Sequence, residues 1–218
     1  TTVEAWASRF WGTEAEGKGY TQTAQAYAQG IYNVSEKLTV SGGFHFLSLM
    51  QNMMASLDPR LSAKYQINRN HRIGLAIGKY SQHLPLPAYH YTKVDSLPDG
   101  TANVEYPNWD LKMIYSNHAI LSYTYATDNM LKIQTELYYQ DLHNVPVAPI
   151  KDDLYYFLNT NSDFPVFPLV SEGQGRNYGI DIGIEKYTKQ NFYFLVTGSL
   201  FAAQYKPLDE NWYHNRYS

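Results

Sequence analysis

The side chains through which this chain could do chemistry are scattered. It has seven histidines and no cysteine, so thiolate nucleophiles, disulfides and thiolate metal sites are excluded. His83 and His90 bracket HLPLPAYH, a proline-rich stretch without the i, i+4 helical spacing that sets two imidazoles on one zinc ion. His45 and His118 stand alone among polar neighbours. Solvated or hydrogen-bonded histidine fits these contexts, and no metal is expected. GQGRNYG, with glycines at 173, 175 and 179, misses the dinucleotide fingerprint and leads into a strand pattern where that motif opens a helix. A turn or a close backbone approach suits those glycines better. Ser199 lies inside an alternating run without the nucleophile-elbow context, and Glu172 and Asp181 show no catalytic pairing. Neither catalysis nor a cofactor is expected.

Recognition chemistry is better represented. HLPLPAYHYTKVDSLPDGTANVEYPNWD (83–110) and KDDLYYFLNTNSDFPVFP (151–168) mix aromatic rings with Asp and Asn. Rings can stack on a sugar or a chelate while the polar groups bond its edges. Tyr89, Tyr91, Trp109, Tyr155, Tyr156 and Asp163 are the candidate ligand contacts. The same rings could instead cover a mouth and pack on one another.

The elements that carry these loops are strands. Strict alternation recurs: Ala24, Ala26, Ala28, Gly30 and Tyr32 share one face, then Leu38, Val40, Gly42, Phe44 and Phe46. Leu57, Leu61, Ala63 and Tyr65 follow, then Ile73, Leu75 and Ile77. Ala119, Leu121, Tyr123 and Tyr125, then Leu131, Ile133, Leu137 and Tyr139, make a second set. Tyr178, Ile180, Ile182 and Ile184, with Phe194, Val196 and Leu200 beyond a polar break, complete about eight strands of roughly 10 to 14 residues. Such strands are longer than the usual soluble strand and suit a tilted bilayer crossing. Arg60, Lys64, Gln134, Glu136, Asp181 and Glu185 fall on the opposite, polar faces and are expected to look into a lumen.

The breaks are unequal. NVSE (33–36), NRNH (68–71), TDN (127–129) and TKQ (188–190) are tight, whereas 83–115 and 146–176 are long and proline-rich. Short turns at one end and elaborate loops at the other match outer-membrane barrels. A mean hydropathy of -0.44 does not oppose this, because only alternate residues of such a barrel meet lipid. The 21 tyrosines suit aromatic girdles. A net charge of -3 gives no case for nucleic acid. A secreted β-sandwich that binds carbohydrate or a protein partner also alternates, and eight strands could close as a small structural barrel.

GRNYGIDIGIEKYTKQNFYFLVTGSLFAAQYK (175–206) resembles late barrel strands of TonB-dependent receptors of the Bacteroidetes type. LDPRLSAKYQINRNHRIGLAIGKYSQ (57–82) and LKIQTELYYQDLHNVPV (131–147) are similar to earlier hairpins of that family. The resemblance spans about 21–206. It implies an antiparallel, up-and-down transmembrane β-barrel in a bacterial outer membrane, of about 22 strands around a plug. It further implies uptake of a small molecule or oligosaccharide powered through TonB, with a surface lipoprotein as a possible companion. No plug is recognisable, and the chain ends NWYHNRYS without a closing aromatic strand. Residues 1–218 are therefore expected to form an incomplete barrel portion. Both ends would lie on the long-loop side, where the first about 20 and last about 13 residues would belong to further outer loops.

Overall fold

The computed structural model describes residues 20–98, 100–160, 164–187 and 192–216. Strands β1 (Thr23–Asn33), β2 (Leu38–Leu49), β3 (Met54–Gln66) and β4 (His71–Gln82) run as an antiparallel meander. The next connection holds one helical turn, α1 (Leu86–Tyr89), and a small hairpin of β5 (Lys93–Ser96) and β6 (Ala102–Glu105). The meander resumes with β7 (Ile114–Ala126), β8 (Leu131–Val147), β9 (Val170–Tyr187) and β10 (Tyr193–Lys206), and β11 (Tyr213–His214) adds a short edge.

Turn chemistry fixes the hairpins. Ser35 Oγ accepts the backbone N–H groups of Lys37 and Leu38. Asn68 Oδ1 likewise accepts those of Asn70 and His71. The turn at 188–190 lies outside the described residues.

Register joins the alternating residues into two continuous faces. One rung, a set of residues paired across the sheet, reads Gly30, Gly42, Leu61, Ile77, Ala119, Tyr139, Tyr178 and Ala202. The next runs through Ala63, Leu75, Leu121, Leu137, Ile180 and Leu200. These side chains are not packed against a second layer: Leu61, Leu75 and Leu121 are each 50% exposed or slightly more. At strand and residue spacings of about 4.8 and 3.4 Å the apolar face covers on the order of 900 Å², well above the ~300–600 Å² of a soluble monomer's largest patch.

The apolar window also slides along the strands. On β1 it is centred near Ala28, whose rung reaches β10 at Gln204, whereas on β10 it is centred near Gly198, a displacement of about six residues over seven strand-to-strand steps. Slightly under one residue per strand corresponds to a slope of about 30° between the band and the rungs. A flat slab of hydrocarbon crossed by strands tilted about 35–45° produces a slope close to that. On β2 the window from Leu38 to Phe46 measures about 27 Å along the strand, or about 22 Å after tilt, close to the ~25 Å band of such barrels. The fold is an antiparallel, up-and-down transmembrane barrel wall.

Two alternatives fail on this geometry. No sheet covers the apolar face among the described residues, so no sandwich forms. Strands β1 and β10 lie at opposite sides of the sheet order and do not pair, so the eight long strands do not close on themselves.

The buried core lies elsewhere, on the polar face at the long-loop end. Leu47, Leu49 and Tyr205 point to that side and pack with Leu84, Ala88, Tyr89, Met113, Tyr156 and Leu169 from the connections. Asn144, at φ 58°, marks a bulge in β8, beyond which Val145 pairs with Gly173 and Val147 with Val170. The extra residue changes the alternation and brings both valines, fully buried, into this core.

Candidate functional site

Arg60, Lys64, Gln134, Glu136, Asp181 and Glu185 all lie on the face opposite the apolar band. Charge is separated across it. Arg60, Lys64 and Arg72 occupy β3 and β4, where the Arg60 guanidinium lies 4.2 Å over the Tyr80 ring. Tyr80 in turn stacks on His118 at 4.4 Å. Glu136 and Asp181 are direct cross-strand neighbours on β8 and β9. Gln134 Nε2 donates to Glu136 Oε1 at 2.7 Å, the Ser199 hydroxyl donates to Asp181, and Lys132 sits 3.8 Å from Glu185. These acidic and amide groups line an open depression of about 690 Å³, and Tyr27, Gln29, His45, Arg60 and Tyr80 border a second of about 410 Å³. The two depressions offer hydrogen bonding and opposite charge.

Asp58 escaped the sequence reading. It is fully buried on the polar face, next to Pro59, which has no N–H to donate to a ladder. The β3–β4 pairing ends at Arg60 and Gly78. Just beyond, the Asp58 carboxylate accepts the Ser81 N–H at 3.0 Å, the Ser81 hydroxyl at 2.7 Å and the Ser56 hydroxyl at 3.0 Å. A side chain thus joins the two strands where the backbone cannot. The Asp-Pro pair inside an alternating run was the available signal, but its partner Ser81 is 23 residues away.

The loop aromatics divide. Tyr89 and Tyr156, at 0% and 3% exposure, belong to the core. Tyr89 Oη accepts the Leu84 N–H, and Tyr156 stacks on Tyr205 at 4.9 Å. Burial pushes both phenols up in pKa. A methyl group at Gly175 would strike the Tyr156 hydroxyl, and one at Gly173 the Val147 side chain, so these glycines give the close approach the sequence suggested. Trp109 remains partly exposed, with His90 edge-on at 5.6 Å. Tyr91 and Tyr155 are half-buried, Tyr155 packing edge-on against Phe167. Asp163 lies outside the described residues.

Asparagines tie the connections into one cap. Buried Asn108 donates to the Phe167 carbonyl at 3.3 Å and accepts the Leu169 N–H at 2.8 Å, joining the two long loops. Asn52 Nδ2 donates to the Trp109 carbonyl, and Asn144 Nδ2 to that of Met113. Because these loops bury Leu47, Leu49 and Tyr205, the cap folds over the polar face.

No family model and no curated protein sequence matches the chain. Several solved structures share its fold. The siderophore receptor PirA of Pseudomonas aeruginosa superposes with a TM-score of 0.59 at 11% identity, over 85% of this chain and 36% of that one. The FrpB iron transporter of Neisseria meningitidis gives 0.50 at 13% identity, over 88% and 26%. The chain therefore spans about a third or less of either receptor's length.

Proposed function

We propose that this chain is a wall sector of a TonB-dependent outer-membrane receptor, and that the whole protein captures and imports a small chelate such as an iron siderophore. The sloping, half-exposed apolar band is the observation that carries the reading. A soluble protein would not leave such a surface wet, and a random apolar patch would not shift by nearly one residue per strand. Among the described residues, the outer edge of β1 and that of β10 below its short pairing with β11 are open, which supports a wider barrel, because open backbone donors and acceptors cannot face hydrocarbon. A chelate is favoured over an oligosaccharide because both fold relatives handle iron or a siderophore. The lateral charge separation on the polar face suits a plug with complementary charge, through which TonB would act. Trp109, Tyr91 and Tyr155, rather than Tyr89 and Tyr156, are the rings left to meet ligand.

The test is uptake. The full-length protein carrying this segment, expressed in a Gram-negative host lacking its own siderophore receptors, should accumulate radioactive iron from a panel of ferric chelates, and only when TonB is present. Accumulation independent of TonB, or none with any chelate, would overturn the reading.

A further inference from the structure

We infer that the outward face carries, at its loop-side margin, a binding site for the phosphate-bearing headgroup of a lipid. This rests on the bilayer-spanning reading above. Immediately past the apolar band, one rung turns polar: Lys79, Asn117, Asp141, Arg176 and Gln204. Lys206 follows two residues beyond Gln204, and Trp212 packs against the cations, 4.1 Å from the Arg176 guanidinium and 5.6 Å from Lys206 Nζ. Further along the margin, Lys79 Nζ lies 4.9 Å over the Tyr115 ring, itself stacked on His143.

The cations are uncommitted. Among the described residues none of Lys79, Arg176 and Lys206 has a carboxylate within ion-pair distance. Arg176 spends only its Nε, on Gln204 Oε1 at 2.7 Å, leaving its terminal amino groups free of protein partners among the described residues. The acid of the same rung, Asp141, is engaged by His143 Nε2 at 2.8 Å. Glu172 lies further out on β9. A planar guanidinium with two open donors, an ammonium on the adjacent strand and an indole at the interface level match a phosphate on a lipid whose tails lie along the band below. The other margin lacks this set. Its outward positions are Tyr32, Tyr65, Tyr123 and Tyr125, with Lys186 as the outward cation among the described strand residues.

Native mass spectrometry of the full-length protein released from nanodiscs would test this. The discs would hold phosphatidylcholine doped with phosphatidic acid. Wild type should retain phosphatidic acid over phosphatidylcholine, Arg176→Ala with Lys206→Ala should reduce that retention at least fivefold, and Lys79→Ala about twofold. Arg176→Lys should keep part of it, and Lys186→Ala all of it. Equal retention in wild type and the double variant would overturn the inference, as would full competition by millimolar inorganic phosphate, which would mean a free-anion site. Wild type that never enters the discs would overturn the membrane reading and this site with it. Entry without lipid discrimination would overturn this site alone.

Discussion

The two ends of the polar face are built on opposite principles. At the long-loop end it is dry: Leu47, Leu49, Val145, Val147 and Tyr205 lie under a cap stitched by asparagines. At the tight-turn end it is wet and charged, with Lys132, Glu136, Asp181 and Glu185 around an open depression. The same strands serve both ends, so alternation alone does not decide whether an inward side chain meets water or protein. What the connections bring does.

That contrast can be broken most strongly at the cap. Tyr156→Ala should cost about 3 to 5 kcal/mol, read as loss of the folded form in detergent and rapid proteolysis of 148–169. Across the sheet, Ile182→Arg on the apolar face should cost about 2 to 4 kcal/mol of folding into lipid, whereas Gln134→Arg on the polar face should change little. Asn108→Ala leaves the Leu169 N–H buried without its partner, an expected loss of about 1 to 3 kcal/mol by denaturant titration. Asp58→Ala should cost a similar amount at the β3–β4 junction.

A pH titration sharpens the same comparison. Burial raises the phenols of Tyr89 and Tyr156 above the ordinary value of about 10, so the unfolded form releases its protons first as pH rises. Their contribution is complete below about pH 10 and declines above it, toward the native values. Proteolysis of the cap should therefore set in at alkaline pH while the turn-end hairpins remain protected. The smallest effect is expected at the wet end, where Glu136→Gln should stay within about 0.5 kcal/mol of wild type.

Strands and faces were legible in the sequence because the period of two is local. Ala63, Leu75 and Ile182 announce their side of the sheet from their immediate neighbours. The end of β8 and the start of β9 were not legible: the Asn144 bulge shifts the alternation, and the proline-rich 146–176 read as a long connection although β8 runs to Val147 and β9 starts at Val170. Tyr89 and Tyr156 read as ligand contacts for a related reason. Aromatic rings in proline-rich connections look alike whether they face solvent or fold inward, and only long-range packing distinguishes them. Asn108 gave no signal at all, since its partners lie about sixty residues downstream.

The central claim is that one face meets hydrocarbon along a band that slopes across the strands. The chain has no native cysteine, so single cysteines can be introduced along β2, β4, β8 and β10, spin-labelled and reconstituted in bilayers. Oxygen and nickel-complex accessibilities then report depth at each position. The expected result is alternation between lipid and water along every strand, with the deepest position moving about one residue per strand from β2 to β10. A deepest position that stays on one rung, or the absence of alternation, would contradict the account.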